Sequence, residues 1–223
     1  MAFLDIEHIS KTFQNGAYQT QALADINLQI SKGEFAVISG PSGSGKTTLL
    51  NIIGGLDAPT SGAIILEGEE LTGLPENILA ARRRDYIGFV FQAYNLLPVL
   101  TAAENIEYIM KLQGWGQEKC NLRTLEVAKK LGIANLLDKL PNQMSGGQQQ
   151  RVAVARAVAA KPKLVLADEP TANLDSKSAA SLMAMMRSLN EEEGITIIFS
   201  SHDPLVIAQA KLTITIKDGQ VDK

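Results

Sequence analysis

The sequence predicts an α/β protein with a mostly parallel β-sheet core, an antiparallel β part at the amino end and an inserted helical part. Three observations lead to this fold class. The first 30 residues contain short alternating apolar and polar runs, as antiparallel strands do. Three later apolar runs lack this alternation, which is typical of strands covered by helices on both faces of a parallel sheet. From about residue 93 to residue 161 the patterns are helical, without a convincing strand.

The elements of the core follow from apolar runs and from the residues that end them. Strands are expected at residues 3–9, 23–30, 35–38, 164–167 and 196–199, a helix at 48–53, and a closing hairpin at 212–221. Asp203 followed by Pro204 indicates the start of a further helix, because proline suits the first helical position.

The inserted part shows its own helix signals. Thr101 and Glu104 form a capping box ahead of an apolar helix face, and further apolar faces follow at residues 122–131 and 149–160. The sequence therefore predicts a core made of residues 1–92 and 162–223, interrupted by a helical subdomain at 93–161.

Composition excludes several classes of protein. With 24 acidic and 21 basic side chains the formal net charge is −3, so no general positive field would attract nucleic acid. The apolar runs are far shorter than the roughly 20 residues that cross a bilayer, so we expect contact with a membrane only through a partner. The single cysteine, Cys120, excludes an internal disulfide and a cysteine-based zinc site, and cytosol is the expected compartment.

A phosphate-binding loop is the most specific motif in the chain. It lies between a predicted strand and a predicted helix, as the motif G-x-x-x-x-G-K-[ST] requires, and reads Gly40, Pro41, Ser42, Gly43, Ser44, Gly45, Lys46, Thr47. Its backbone N–H groups and the start of the following helix, at Thr48, would bind β- and γ-phosphates. Lys46 would add a point charge and the Thr47 hydroxyl would coordinate Mg²⁺. The bland alternative is a flexible Gly/Ser turn.

Two further strand ends carry polar side chains that suit phosphate chemistry. Asp168 and Glu169 end the run at 164–167; Asp168 would hold Mg²⁺, and Glu169 would act on the attacking water as general base. His202 follows the third apolar run, where it would contact a γ-phosphate. A solvated acidic turn and a structural histidine are the alternatives.

A second anion-binding feature stands at residues 144–148. Ser145 is an expected N-cap, and Gly146, Gly147 and Gln148 leave backbone N–H groups open at a helix start. Since one nucleotide already has its loop at Lys46, a second phosphate-binding end suggests a symmetric dimer in which each chain completes the other's site. A simple capped helix is the alternative.

Taken in order, these motifs closely resemble the nucleotide-binding subunit of ABC transporters over nearly the whole chain. The resemblance implies an ABC-type P-loop ATPase that uses ATP and Mg²⁺, pairs with a second copy of itself, and drives transmembrane permease subunits from the cytoplasmic face. It implies that Gln92 ligates Mg²⁺ and senses the permease, that Asp175 lies in a loop at the dimer interface, and that Phe13 stacks on adenine, with Tyr18 as a competing candidate. Met144 departs from the usual leucine, a swap that conserves volume.

The segment at residues 87–105 resembles the branch that serves lipoprotein release, macrolide and peptide export, and cell-division complexes. One alternative is a regulatory ATPase that signals through a membrane partner to cell-wall hydrolases; a soluble ABC machine acting on DNA or ribosomes and a P-loop kinase are the others. The basic run at 82–84 is interpreted as a solvated helix face, with a partner contact near Gln92 as the alternative.

Overall fold

The computed structural model describes residues 2–16 and 18–222 and contains two β-sheets with helices around them. Its strands are β1 (Leu4–Asn15), β2 (Tyr18–Ile30), β3 (Phe35–Ser39), β4 (Ser61–Leu66), β5 (Glu69–Glu70), β6 (Ile87–Val90), β7 (Leu164–Ala167), β8 (Thr196–Ser201), β9 (Leu212–Lys217) and β10 (Gln220–Val221). Its α-helices are α1 (Lys46–Ile53), α2 (Glu76–Tyr86), α3 (Ala102–Leu112), α4 (Gln117–Lys130), α5 (Gly146–Ala159), α6 (Ser176–Glu193) and α7 (Pro204–Ile207).

The larger sheet has the strand order β10-β9-β3-β8-β7-β6. Its inner pairs are all parallel, and only β10 runs antiparallel to β9. The smaller sheet has the order β2-β1-β4-β5 and is antiparallel throughout. The predicted fold class is therefore confirmed.

The central strands β3, β7 and β8 are buried at every residue, as their continuous apolar runs predict. Alternate residues of each strand enter two different cores. Phe35, Val165 and Phe199 pack in the core that includes the helices of the inserted part. Leu164 and Ile198 pack in the other core, with α1 and the antiparallel sheet. The large sheet thus separates two packed layers and fixes where its strand ends lie.

The inserted part is helical, as predicted: between β6 and β7 the structure has α3, α4, α5 and two short 3₁₀ turns, with no strand. Thr101 and Glu104 form the expected capping box at the start of α3. No helix in the described part of the chain is long and apolar enough to cross a membrane.

Several boundaries differ from the prediction. The strands β1 and β2 are longer than expected because they continue outward as a ribbon with exposed residues, where apolar alternation fades. The helices α1 and α5 begin inside the two anion-binding motifs, at Lys46 and Gly146, rather than after them. The strand β4 was not predicted, since it begins with exposed residues and lacks a strong apolar pattern. The basic run at 82–84 lies on a helix, α2, as interpreted, and no residue of α2 is buried.

Candidate functional site

The phosphate-binding loop joins β3 to α1, and its glycines adopt backbone conformations that other residues rarely tolerate. Gly40 has a φ of +148°, and a Cβ atom there would overlap the carbonyl oxygen of Ile216. Gly45 has a φ of +105°, and its Cβ would lie 2.6 Å from the carbonyl oxygen of Ala22. The loop can therefore curl tightly against β2 and β9 only with glycine at these positions.

Lys46 lies along this loop instead of projecting into solvent. Its side chain is buried, and its Nζ donates to the carbonyl oxygens of Gly40 and Pro41, both at 2.9 Å. The Ser44 hydroxyl is buried without a hydrogen-bond partner, whereas Ser42 and Gly43 are exposed at the loop's outer side. The loop thus combines a cation, an unpartnered hydroxyl and the first turn of α1, which includes Thr48; this arrangement can bind an anion.

The structure brings Thr47 and Asp168 together although 121 residues separate them in the chain. The Thr47 hydroxyl lies 3.0 and 2.9 Å from the two carboxylate oxygens of Asp168. The Ser200 hydroxyl donates to Asp168 Oδ1 at 2.7 Å and accepts from the backbone N–H of Glu169 at 2.8 Å. A hydroxyl and a carboxylate therefore face each other where α1 and β7 meet.

Glu169 and His202 also meet at this edge of the sheet. His202 Nδ1 lies 3.1 Å from Glu169 Oε1, and the Glu169 side chain is the less exposed of the two, at 19% against 57%. Glu169 has a φ of +41°, a strained conformation for a residue with a side chain. Such strain persists only where the surroundings fix it, and here the Ser200 hydroxyl holds the Glu169 N–H.

Gln92 lies two residues beyond the end of β6, next to the same edge. Its carbonyl oxygen accepts from Asn173 Nδ2 at 3.1 Å. The following residues Tyr94 and Asn95 have φ values of +61° and +48°, and Arg156 of α5 donates to the carbonyl oxygens of both. Burial lowers the pKa of the Arg156 guanidinium. This segment is therefore fixed to α5, while no described side-chain contact places Gln92 against the acidic pair.

The second anion-binding feature lies at the start of α5, as predicted. Ser145 is the N-cap, with Gln148 completing a capping box. The N–H groups of Gly146 and Gly147 donate to no acceptor in the described chain. Ser145, Gly147 and Gln148 line a depression of about 300 Å³ to which none of the described residues of the phosphate-binding loop contributes.

Asp175 has a local role in the single chain. It is the N-cap of α6, and its carboxylate accepts from the backbone N–H groups of Lys177 and Ser178 and from the Ser178 hydroxyl. These hydrogen bonds, chiefly the one from the Ser178 hydroxyl, hold the pKa of Asp175 below its usual value. The structure does not bring Asp175 to the phosphate-binding loop, and its contact with a nucleotide stays a prediction.

The two aromatic candidates for adenine lie on the outer hairpin of the small sheet. Phe13 belongs to β1, pairs with Thr20 across the hairpin and is 42% exposed. Tyr18 begins β2 beside the turn and is 81% exposed. Both rings are accessible, and Phe13 is covered by the protein to a larger extent than Tyr18.

The oxygen atoms of Thr47 and Asp168 suit Mg²⁺, which prefers hard oxygen ligands. Among residues 2–16 and 18–222, no cluster of three or more His, Cys, Asp or Glu side chains could hold a metal by itself. Mg²⁺ usually takes one or two protein ligands and completes its shell with substrate phosphates and water.

Sequence reasoning missed Ser200 as part of this site, and it assigned Asn173 to the same interface loop as Asp175 without predicting its contact with Gln92. Ser200 is buried at the end of β8 and contacts both acidic residues. A hydroxyl at the carboxyl end of the third parallel strand was the available signal, since ligands bind at such strand ends. Asn173 reaches Gln92 across 81 residues of sequence, and no local pattern indicates that contact.

The fold and this edge of the sheet define a class of protein: an α/β nucleoside-triphosphatase with a glycine-rich phosphate loop and an adjacent acidic pair. A family model described as ABC transporter matches residues 23–172. A second model, described as an AAA domain, putative AbiEii toxin, Type IV TA system, matches residues 140–208.

Curated relatives agree over almost the whole chain. The ABC transporter ATP-binding protein YxdL of Bacillus subtilis is 46% identical over 98% of this chain and 84% of its own length. The uncharacterized ABC transporter ATP-binding protein MJ0796 of Methanocaldococcus jannaschii is 45% identical over 99% of this chain and 95% of its own length. The macrolide export ATP-binding/permease protein MacB of Salmonella typhimurium is 44% identical over 99% of this chain, which spans only 34% of MacB.

Solved structures agree as well. The dimeric structure of MJ0796, a bacterial ABC transporter cassette, has a TM-score of 0.93 and 43% identity, covering 99% of this chain and 97% of that one. A dimeric post-hydrolysis state of the same cassette, bound to ADP and Pi, has a TM-score of 0.92. The chain therefore belongs to the ABC transporter family, as an ATP-binding ATPase subunit. Its relatives are consistent with the branch that includes the lipoprotein-release, macrolide-export and cell-division proteins.

Proposed function

We propose that this chain binds and hydrolyses ATP at the edge where β3, β7 and β8 end, and that the cycle drives an export-type permease. The observation that carries the proposal is the meeting of Thr47, Asp168, Glu169 and His202 beside the phosphate-binding loop. Phosphoryl transfer needs positioning and charge stabilisation more than a nucleophilic side chain, and this set of residues provides both.

The loop residues bind the phosphates in this proposal. The amine of Lys46, which now bridges two loop carbonyl oxygens, contacts the β- and γ-phosphates. Backbone N–H groups from Gly43 to Thr48, together with the unpartnered Ser44 hydroxyl, provide further donors. Phe13 stacks on adenine, since its partly covered ring is better fixed than that of Tyr18.

Mg²⁺ would be held by the Thr47 hydroxyl, with Asp168 and the Gln92 side chain completing the protein's contribution. Bound there, the ion would neutralise charge on the phosphate oxygens. Ser200 orients Asp168 through its hydrogen bond, so the carboxylate faces Thr47 before the substrate arrives.

Glu169 positions the attacking water and accepts its proton, and His202 contacts both Glu169 and the γ-phosphate.

We expect Glu169→Gln to retain ATP affinity while turnover falls at least about 100-fold, because the carboxamide is a far weaker base. We expect Lys46→Ala to abolish tight ATP binding. Calorimetric titration with ATP and a phosphate-release assay measure the two effects; wild-type turnover in Glu169→Gln would assign the base elsewhere.

A second copy of the chain completes each site in the proposed closed state. The open N–H groups at Gly146 and Gly147 suit a γ-phosphate, yet no described residue of the chain's own phosphate-binding loop lines the depression at this helix end. Head-to-tail pairing would place the Ser145–Gln148 helix end of one chain over the loop of the other, with Asp175 near the junction. The dimeric cassette structures of the relative MJ0796 support this arrangement.

The permease would dock in an apolar groove between α2 and β6 on one side and α3 and α5 on the other. The groove has a volume of about 650 Å³, and its apolar lining includes the stacked rings of Phe89 and Phe91. Tyr108 and Leu112 line the groove and are exposed, at 42% and 53%. An apolar groove of this size suits an amphipathic helix from a membrane subunit.

Basic side chains at this groove favour an acidic residue on the docking helix. Arg83, Arg84 and Arg156 all line it, so two of the three arginines at 82–84 contribute to the groove as well as to the helix surface. Among curated relatives, MacB unites an ATP-binding part with a permease in one chain. This supports a permease partner here. In the proposal the subunit lies at the cytoplasmic face and is attached to the membrane through that partner.

Docking can be separated from catalysis by one substitution. Leu112→Asp puts a charge in the groove, so we expect loss of co-purification with the permease while the isolated subunit keeps its ATP hydrolysis. Leu122→Asp is the matched control, since Leu122 is exposed on α4 away from the groove. Equal permease recovery with both variants would exclude the groove as the docking site.

A further inference from the structure

Lys11 makes an unusual set of contacts for a lysine of an outer strand. It lies two residues before Phe13 on β1, with its Nζ 4.8 Å from the centroid of the Phe13 ring. The same Nζ donates to Asp57 Oδ1 and to the carbonyl oxygen of Ala58, both at 2.7 Å. The Lys11 side chain is only 13% exposed. Its amine is therefore fixed beside the aromatic ring and not free in solvent.

The segment that holds this amine also holds the strand. Thr60 donates its backbone N–H to the carbonyl oxygen of Ser10 and accepts, through its hydroxyl, from the backbone N–H of Thr12. Residues 57–60 thus form hydrogen bonds with β1 at Lys11 and on both sides of it.

The helix α1 connects the segment at 57–60 to the phosphate-binding loop. The segment follows α1 after three residues, and α1 starts at Lys46 inside the loop. Eight helical residues span about 12 Å, so the helix sets a nearly constant spacing between the loop and the segment at 57–60. The position of the Phe13 ring relative to the phosphate site is therefore determined by α1 and by Lys11.

We propose that Lys11 is a positioning residue for the base of the bound nucleotide: it occupies one face of the Phe13 ring and leaves the other face for adenine. The proposal rests on the proposed role of Phe13 in stacking. An ammonium within about 6 Å of a ring centroid is attracted to the π-face, so it holds the ring in one orientation. A ring fixed before binding lowers the ordering cost of stacking.

The test compares a ligand that has the base with one that lacks it. Affinities for ADP and for inorganic pyrophosphate, both with Mg²⁺, are measured by calorimetry on the full chain. The variants are Lys11→Met, Phe13→Leu and the double variant, and Lys11→Arg is the conservative change. Lys32→Met is the matched control, since Lys32 pairs with Glu67 on the same sheet and contacts no ring among the described residues.

We expect Lys11→Met to weaken ADP binding about 3- to 10-fold, the range of a partly desolvated cation–π contact, and to leave pyrophosphate binding unchanged. Lys11→Arg should keep most of the ADP affinity, because a guanidinium can also cover the ring and pair with Asp57. In the Phe13→Leu background, removing Lys11 should change ADP affinity by less than about 1.5-fold, because the two residues act as one unit.

Lys46→Ala is measured alongside these variants. Four results would overturn the proposal, and each has a separate meaning. Equal losses for ADP and pyrophosphate would make Lys11 a structural residue of the fold. A full additional loss in the Phe13→Leu background would mean that Lys11 contacts the nucleotide directly. Unchanged ADP affinity in Phe13→Leu would show that Phe13 does not stack on the base. Unchanged affinity for both ADP and pyrophosphate in Lys46→Ala would reject the proposed nucleotide site as a whole.

Discussion

At the residue scale, the acidic pair depends on one buried hydroxyl. Ser200 donates to Asp168 and accepts from the backbone N–H of Glu169, so it fixes one carboxylate and the strained backbone of the other residue. No water is needed to join these groups, because both contacts are direct and Ser200 is fully buried. The geometry of the acidic edge therefore comes partly from β8, the neighbouring strand.

We expect Ser200→Ala to lower turnover about 10-fold or more with little change in ATP affinity, since a hydrogen bond to a charged group contributes roughly 1.5–3 kcal/mol. Steady-state hydrolysis against ATP concentration separates kcat from KM. Ser201→Ala is the control: its hydroxyl accepts from the backbone N–H of Asp203 and not from the acidic pair. Equal effects of both substitutions would show that the hydroxyl of Ser200 has no special role.

At the scale of elements, the inserted helices are joined to the sheet by a close approach of backbones. Gly88 of β6 packs against α5 so closely that a Cβ atom would overlap the carbonyl oxygen of Ala157. The φ of Gly88 is ordinary, so glycine is needed here for space and not for conformation. The same strand leads to Gln92, which places this contact at the base of the predicted sensing segment.

We expect Gly88→Ala to lower the free energy of unfolding by about 1–3 kcal/mol, the usual range for overpacking. The control is Gly116→Ala at the start of α4, where nothing lies within 4 Å of the added Cβ. Urea denaturation followed by circular dichroism measures both. If Gly88→Ala is as stable as the control variant, β6 and α5 can move apart to accommodate the Cβ atom without a loss of stability.

A second contact between elements is an ionic cluster that joins α4 to the end of α6. Arg123 is 5% exposed and pairs with Glu193 and Glu126, while Lys130 pairs with Glu126, Glu192 and Glu193. Burial opposes the charge of Arg123, yet its hydrogen bonds to Glu193 and Glu126 outweigh burial and raise its pKa. The hydrogen bond from Arg123 lowers the pKa of Glu126.

This cluster predicts a loss of stability in acid. A carboxyl whose pKa is lowered by folding stabilises the protein above its ordinary pKa of 4.5, and that contribution disappears as the pH falls through the folded value. We expect the urea midpoint to hold from pH 7 to about 5 and to fall below about 4.5. The effect is modest because Glu126 is half-exposed.

Removing the guanidinium tests the source of this pH dependence. Arg123→Met should lower the free energy of unfolding by about 2 kcal/mol at pH 7. Its remaining stability should then fall less in acid than that of the wild type. Lys129→Met, on the same helix outside the cluster, should follow the wild-type pH profile. A steeper acid loss in Arg123→Met than in the wild type would contradict the assigned direction of the shift.

At the scale of the whole molecule, we propose that the two predicted anion-binding features meet only between two chains. The helix end at Ser145–Gln148 and the phosphate-binding loop belong to one chain, but no described residue of the loop lines the depression at the helix end. A chain that bound ATP alone would leave the helix end without an anion.

We expect Glu169→Gln with ATP to double the mass measured by light scattering from the 24.0 kDa of one chain. Adding Ser145→Arg should keep that protein monomeric with ATP, because the bulky side chain blocks the helix end. Ser188→Arg, on an exposed part of α6, should leave the dimer intact. Dimers in the Ser145→Arg protein would place the junction elsewhere.

Much of the site could be predicted from the sequence because its signals are local. Residues 40–47 stand between an apolar run and a helix, and Asp168 and Glu169 follow a second run directly. Motifs that directly follow an apolar run show where the strand ends and which backbone conformation the next few residues adopt. The roles assigned to Gln92, Asp175 and Phe13 come from family resemblance, and the structure alone brings none of them to the phosphates.

By itself, then, the sequence determined the fold class, the positions of the two glycine-rich helix starts and the residue types at the strand ends, since periodicity and short motifs act over neighbouring residues. Only the tertiary structure decided which distant side chains meet: Ser200 with Asp168 across 32 residues, Lys11 with Asp57 across 46, and Arg156 with Asn95 across 61. Those contacts depend on strand order and on how the helices pack on the sheet. Apolar runs show that a strand is buried, but they do not show which strand lies beside it.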